Sequence, residues 1–313
     1  MLLLEKNSVI GPKVCAGGLC GHDLDYLNLP EEILDHKFKE IIVHTPHQKD
    51  LVRMEDYFVY TIDRKNLGQW QLHRLDNTNV EVRTESRVTD IGRNFVVING
   101  NEKVKFKYLV GADGASSRVR KYLGINTEQM GIAMQYIIPT SKYNKFELFV
   151  DPDLFHSWYA WIFPHKKYVS IGCGGDPRFL SAKKFRDNFQ IWLKKMKIDV
   201  SNREFQAHPI NFDYRGFKFR NVFLVGDAAG LSSGYTGEGM YQAMISGEEV
   251  AKTIINKKHI PTKIDDLLKV KKVHNKILHV FEKSGNLRKI EYELLVLMLK
   301  IKLIDKKIIH ILA

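Results

Sequence analysis

The chain has 313 residues, 44% hydrophobic and 27% charged, the composition of an ordinary globular protein with enough length for one large domain or two modest ones. Its net charge of +12 comes from lysines spread along the chain and concentrated towards its C-terminal end; they lack the interleaved aromatics of a nucleic-acid surface, so no nucleic-acid partner is expected. Cys15, Cys20 and Cys173 are too few and too poorly spaced for a disulfide framework or a zinc site, which points to a reducing compartment and no metal. No window reaches about 18 uninterrupted apolar residues, and the apolar start at Met1 to Leu4 is too short for a signal peptide. A cytoplasmic protein is therefore expected.

Taken in chain order, Leu2 to Leu4 read as the end of a parallel strand that finishes at Glu5. In a dinucleotide-binding βαβ unit, an acidic residue at that place hydrogen-bonds ribose hydroxyls. A solvated charge at a strand end is the alternative. Next, Gly11, Gly17, Gly18 and Gly21 fall within eleven residues around Cys15 and Cys20. This is either backbone lying against a flat or phosphorylated ligand or a flexible loop with incidental thiols. A short helix from His22 to Leu29 is stopped by Pro30.

Ile41 to Val43, Leu51 with Val52, and Tyr57 to Tyr60 predict an antiparallel hairpin or meander. Arg64 opens a helix on which Leu67, Trp70 and Leu75 fall near helical spacing. An arginine there opposes the helix dipole, so it either faces a phosphate or carbonyl or has no special role. Asn99-Gly100 between two β-like runs predicts a hairpin turn. The run from Tyr108 then ends at Gly111-Ala112-Asp113-Gly114 before a helix.

Thr127 to Gly175 is β-rich and aromatic. Alternation puts Tyr159, Trp161 and Phe163 on one face of a strand, as core or as the floor of an apolar cavity. Val169 to Gly175 is a neighbouring strand whose small residues leave room, and Phe179 to Met196 reads as a helix. The strongest motif follows. Val222 to Val225 suit a buried strand, Gly226-Asp227 ends it, and Gly234, Gly237 and Gly239 crowd the turn before a helix from about Met240. Bare backbone amides, a helix N-terminus and a strand-end carboxylate together describe a nucleotide site. Residues 256–313 read as amphipathic helices whose lysines face either water or an anionic membrane.

With these pieces in order, the chain resembles the geranylgeranyl reductase family of flavoproteins, within the group shaped like p-hydroxybenzoate hydroxylase. The likeness rests on Glu5, Lys13 to Gly18, Asp63-Arg64, Gly111 to Gly114, the Tyr159, Trp161, Phe163-Pro164 segment, and Gly226 to Gly239, and it covers nearly the whole sequence. It implies a mixed α/β fold: an FAD-binding Rossmann-like part from 1–37, 63–125 and 210–255, a β-sheet substrate part from 38–62 and 126–209, and C-terminal helices over 256–313. It implies that Glu5 holds the adenosine ribose and that Cys15, Ala16, Gly17 and Gly18 lie along the flavin. Arg64 would face the phosphates and Val88 the adenine, and Asp113, in the second glycine-aspartate turn, would also bind the cofactor. Gly226 and Asp227 would hold the ribityl or pyrophosphate part, and Gly237, Gly239 and Met240 the ring edge. Tyr159, Trp161 and Phe163 would line an isoprenoid tunnel, with Cys15 a candidate proton relay.

The implied activity is FAD-dependent saturation of geranylgeranyl-type double bonds in a lipid or quinone, with NAD(P)H or ferredoxin as electron donor and peripheral contact with an anionic membrane. An aromatic monooxygenase or halogenase of the same fold, or a remnant without catalysis, are the alternatives. No G-x-G-x-x-G turn precedes Leu2. A truncated start is expected, and with it strands at Leu2 and at Val222 that lack a neighbour.

Overall fold

In the computed structural model, which describes residues 1–76 and 78–300, the two apolar runs ending in Gly and Asp lie side by side. Val222–Leu224 is buried throughout. It pairs in parallel with Leu109–Gly111 and, on its other edge, antiparallel with Lys218–Phe219. Gly111 permits this approach, because a Cβ there would lie 2.7 Å from the Val119 Cβ and 2.9 Å from the Leu224 Cδ2. Leu2–Leu4 pairs in parallel with Glu81–Arg83. The expectation is thus corrected for Val222–Leu224, which is paired on both edges, while Leu2–Leu4 has a partner on one edge only among the described residues. The edge of the second sheet is Leu109–Gly111 instead, and Val110 is exposed there. Leu4, Val88 and Leu109 pack against one apolar cluster with Val119, Val222 and Leu224.

A seven-stranded sheet forms the other layer, in the order Glu204–Asn211, Met130–Ile138, Val169–Gly175, Ala160–Pro164, Phe146–Phe149, Glu40–His44, Lys49–Arg53. Period-two alternation sorts its side chains between two faces. One face, with Tyr136, Ile162 and Ile171, packs under Phe185, Phe189 and Trp192 of the helix Ala182–Lys195. The other carries Ile41, Phe146, Trp161 and Phe163. That helix starts later than Phe179 because Ser181 caps it, accepting from the Lys184 amide at 3.3 Å. Gly172 and Gly174 leave room for indoles: added Cβ atoms would lie 2.3 Å from Trp161 and 2.2 Å from Trp158.

The meander predicted over 40–64 divides between two sheets. Glu40–His44 and Lys49–Arg53 form the expected hairpin, but Val59–Ile62 pairs with Gly18–Cys20 and with Leu34–Phe38. Buried Leu19, Leu34 and Ile62 explain the change of partner, since the cysteine-glycine stretch itself supplies a strand. The Asn99-Gly100 turn joins Phe95–Ile98 to Glu102–Lys105 through a three-residue loop closed by Asn101, with φ of 52° and 84° at Asn99 and Gly100, a left-handed conformation that Asn and Gly tolerate. Helices Met240–Ile255, Thr262–Lys283 and Arg288–Lys300 complete the described fold. The remainder of the predicted C-terminal helical region, 301–313, lies outside the described residues. Among the described residues no helix is long and apolar enough to cross a membrane.

Candidate active site

Between the two layers lies a cavity of about 890 Å³. Its walls come from sequence stretches far apart: Cys15, Ala16 and Gly18, then Arg64, then Tyr159, Trp161 and Phe163, then Gly226, Asp227, Gly237, Gly239 and Met240. Lys13, Cys20, His208 and Glu238 line it as well, and the last described helix adds Tyr292, Leu295 and Val296. Glycines and ionisable groups therefore supply part of the lining, and aromatic and aliphatic side chains the rest.

The loop at Cys15 to Gly17 is held by its carbonyls. The Cys15 carbonyl accepts from Gln135 Nε2 at 3.3 Å, that of Ala16 faces His165 Nε2 at 3.0 Å, and that of Gly17 accepts from the Ile62 amide at 2.9 Å. His165 is itself buried, with Nδ1 2.7 Å from Asp35 Oδ2. Gly17, at φ 78°, sits where a Cβ would lie 2.6 Å from both His165 Cε1 and the Ile62 carbonyl. The Gln135 amide oxygen accepts from Ser170 Oγ at 2.9 Å, and Ser170 accepts from Trp161 Nε1 at 3.0 Å. A buried polar chain thus connects the aromatic wall to the cysteine loop.

The second loop, Ser232 to Gly239, is fixed from below by the helix Thr262–Lys283. Buried Lys271 donates to the Ser232 carbonyl at 2.7 Å, and Ser233 Oγ lies 2.9 Å from His274 Nδ1. Burial pulls Lys271 down to about 8. From above, the Tyr159 hydroxyl donates to the Thr236 carbonyl. Asp227 takes Lys13 Nζ at 3.1 Å on one oxygen and the Ser232 hydroxyl on the other. A Cβ at Gly239 would approach Ser232 Oγ to 2.7 Å and Asp227 Oδ1 to 3.1 Å, so only glycine fits between the carboxylate and the start of helix Met240–Ile255. That helix has no side-chain cap, which leaves its first amides available to an anion.

Other predicted residues lie elsewhere. Glu5 accepts from the Asn7 amide at 2.8 Å and Val88 opens the strand Val88–Ile91; neither lines the cavity. Asp113 turns away from the Ala112 and Gly114 wall. Its oxygens take the Ser117 hydroxyl at 2.6 Å and the amides of Arg118 and Val119 at 2.6 and 3.1 Å, at the start of the helix Arg118–Tyr122.

Two contacts were not foreseen from sequence. Cys20 Sγ donates to Glu238 Oε1 at 2.7 Å, and the Cys20 amide donates to buried Asp23 at 2.9 Å. Burial pushes Glu238 up to about 8 and Asp23 up to about 6. Arg64 Nε, Asp23 Oδ1 and His208 Nε2 are buried without a hydrogen-bond partner. Glu238 does stand in the glycine motif, but nothing in that motif signals a thiol more than two hundred residues away. No group of three or more His, Cys, Asp or Glu able to hold a metal occurs among the described residues.

Residues 64–257 match the family described as FAD binding domain, and the chain belongs to that family. It is an FAD-dependent oxidoreductase by class, and the glycine-lined end fits such a cofactor: uncapped helix amides, a Gly239 cradle that no side chain could share, and an unpartnered buried guanidinium nitrogen at Arg64. Among curated relatives, it is 26% identical to a geranylgeranyl diphosphate reductase of Rhodobacter capsulatus, over 80% of this chain and 67% of that protein. It is 27% identical to digeranylgeranylglycerophospholipid reductase 1 of Methanosphaera stadtmanae, over 81% and 70%. The crystal structure of a geranylgeranyl bacteriochlorophyll reductase-like protein from Thermoplasma acidophilum superposes with a TM-score of 0.77 at 16% identity, covering 95% of this chain and 84% of that one. A flavin-dependent brominase shares the fold, with a TM-score of 0.69 at 15% identity, over 99% and 86%.

The ionisation of Glu238 has a consequence for stability. Its carboxyl holds a proton more tightly folded, at about 8, than at its ordinary 4.5, so the unfolded chain releases that proton first as pH rises. Its contribution to stability therefore declines between those two values and is constant outside them. Denaturant unfolding of the wild type and Glu238→Gln at pH 5, 7 and 8.5 is expected to show the wild type losing more stability across this range. Parallel declines in the two proteins would contradict the assignment.

Proposed function

We propose that the protein saturates isoprenoid double bonds of geranylgeranyl type, in a lipid or quinone, with FAD as the redox group. The observation that carries this reading is the continuity of the cavity, from its glycine-lined end to the wall of Tyr159, Trp161 and Phe163. An isolated trisubstituted alkene offers no carbonyl to polarise and little to hydrogen-bond, so the site must work by shape and exclusion of water. The names of the reductase relatives point to the same substrate class.

Lys13 with Asp227, Arg64, the Gly226 turn and the amides at Gly239 and Met240 would hold the phosphate and ribityl portions; Cys15, Ala16, Gly17, Gly18 and Gly237 would lie along the ring system. Glu5 and Val88 are assigned the adenosine end, and Asp113 is assigned to shaping the glycine turn there rather than to direct contact. When bound and reduced, the flavin supplies a hydride equivalent. The chain's own part is to keep the acyclic tail extended and dry. Tyr159 steers the Ser232 to Gly239 loop through the Thr236 carbonyl, and Trp161 and Phe163 present flat apolar surface, Phe163 stacked on Phe146 with centroids 3.8 Å apart. NAD(P)H or ferredoxin would supply the electrons.

The test is anaerobic mass spectrometry of a geranylgeranyl substrate incubated with the FAD-loaded protein and dithionite. Mass gained in steps of two hydrogens is expected. Bound, reducible flavin with unchanged substrate would refute the reading, and flavin oxidation driven by an aromatic substrate under oxygen would favour a monooxygenase or halogenase.

We further propose that the tail enters from an anionic bilayer. The inner face of helix Arg288–Lys300 lines the cavity through Tyr292, Leu295 and Val296, while Ile290, Leu294, Leu297 and Met298 are exposed on the outside. Val270, Val273 and Val280 are likewise exposed on helix Thr262–Lys283, among exposed Lys272, Lys276 and Lys283. Apolar surface edged with cations suits an interface of anionic lipid. Flotation is expected with phosphatidylglycerol vesicles and is expected to be lost when these three lysines are changed to Glu. Equal flotation with neutral vesicles, or none with either, would contradict this.

A further inference from the structure

Building on the reductase reading, we propose that Glu238 is the proton donor to the reacting double bond, with Cys20 as the residue that orients its carboxyl. Saturating one alkene adds two hydrogens. The hydride, which carries the electron pair, would come from the reduced flavin and bond to one carbon, and the other carbon forms its new C–H bond with the proton leaving the Glu238 carboxyl. Glu238 is left as a carboxylate and takes its next proton from water when product leaves.

Three features support the assignment. First, Glu238 lines the cavity beside the aromatic wall: a Cβ on Gly237, the preceding residue, would lie 3.7 Å from the Tyr159 hydroxyl. Second, the Cys20 thiol donates to Oε1 at 2.7 Å. A thiol is a weak donor, so it orients the carboxyl without taking its proton, and the second oxygen remains to carry the transferable hydrogen. Third, the loop around it is fixed, since the Glu238 carbonyl accepts from the Ser233 amide at 2.8 Å and the Glu238 amide donates to Thr236 Oγ1 at 3.3 Å.

The titratable groups facing Glu238 are Cys20 from the strand Gly18–Cys20, Asp23 from the helix after it, and Tyr159 from the aromatic wall, with Cys15 and Tyr235 beyond Tyr159. Burial and Asp23 favour the protonated carboxyl, whereas the Cys20 and Thr236 hydrogen bonds favour the carboxylate. Cys15, the residue singled out by the sequence, receives the Gly17 amide on its sulfur, at 3.4 Å, whereas the Cys20 thiol meets the Glu238 carboxyl.

Two measurements test the proposal. Infrared difference spectroscopy of the purified chain without flavin is expected to show a protonated carboxyl that titrates near pH 8, is absent in Glu238→Gln, and titrates at higher pH in Cys20→Ala. No such band, or an unshifted midpoint in Cys20→Ala, would overturn the Glu238 and Cys20 pairing. With FAD and dithionite, Glu238→Gln is expected to bind and reduce flavin normally while saturating substrate at least about 100-fold more slowly. An active wild type with an unimpaired Glu238→Gln would overturn this assignment alone. A wild type that holds reducible flavin and saturates nothing would overturn the functional reading and the assignment together.

Discussion

Three consecutive carbonyls, at Cys15, Ala16 and Gly17, are each tied to a different part of the chain: to Gln135, His165 and Ile62. That constraint determines the rest of the site. With its carbonyls drawn into the protein, the loop must present its other side to the cavity, and Gly17 must keep a left-handed φ to do so. The ties are also shared. Gln135 connects through Ser170 to Trp161, and His165 follows the aromatic segment directly. Loop and aromatic wall are therefore one hydrogen-bonded unit, and a side chain lost from either would leave buried polar groups of the other unpaired, at a cost of about 1–3 kcal/mol each.

The opposite wall is built on the same principle with different parts. The Ser232 to Gly239 loop carries the glycines that a flat ligand needs, and the Ser233 and Thr236 side chains supply part of its order. Lys271 and His274 from one helix and Tyr159, just before the strand Ala160–Pro164, hold it from outside. A glycine-rich surface pays an entropic penalty for its order, and these external hydrogen bonds offset part of it. The arrangement leaves Glu238 as a carboxyl aimed into an apolar space and Asp227 as a carboxylate paired with Lys13. Two acids eleven residues apart along the chain thus meet different partners, a lysine and a thiol.

The motifs legible in the sequence were those whose meaning is local. An apolar run ending in Gly-Asp, an Asn-Gly turn and period-two aromatics each declare themselves within a few residues, and each is found in the fold. Contacts between distant segments were not legible. Nothing near Cys20 announces Glu238, and nothing near Ala16 announces the His165 and Asp35 pair beneath it. The strand Val59–Ile62 was misassigned for a related reason: its β pattern was plain, but its partners Gly18–Cys20 and Leu34–Phe38 are set by burial of Leu19, Leu34 and Ile62. Likewise, the neighbour of Val222–Leu224 is a strand that begins more than a hundred residues earlier.

On the proposed function, a single cavity brings a flavin and an isoprenoid chain into contact. The most direct measurement is the absorption spectrum of the FAD-loaded protein titrated with a geranylgeranyl compound. If the aromatic wall and the glycine-lined end form one chamber, the chain will expel water from the ring and sharpen its visible band in a saturable way, and Trp161→Ala will weaken that response. A flavin spectrum indifferent to saturating isoprenoid would contradict the account.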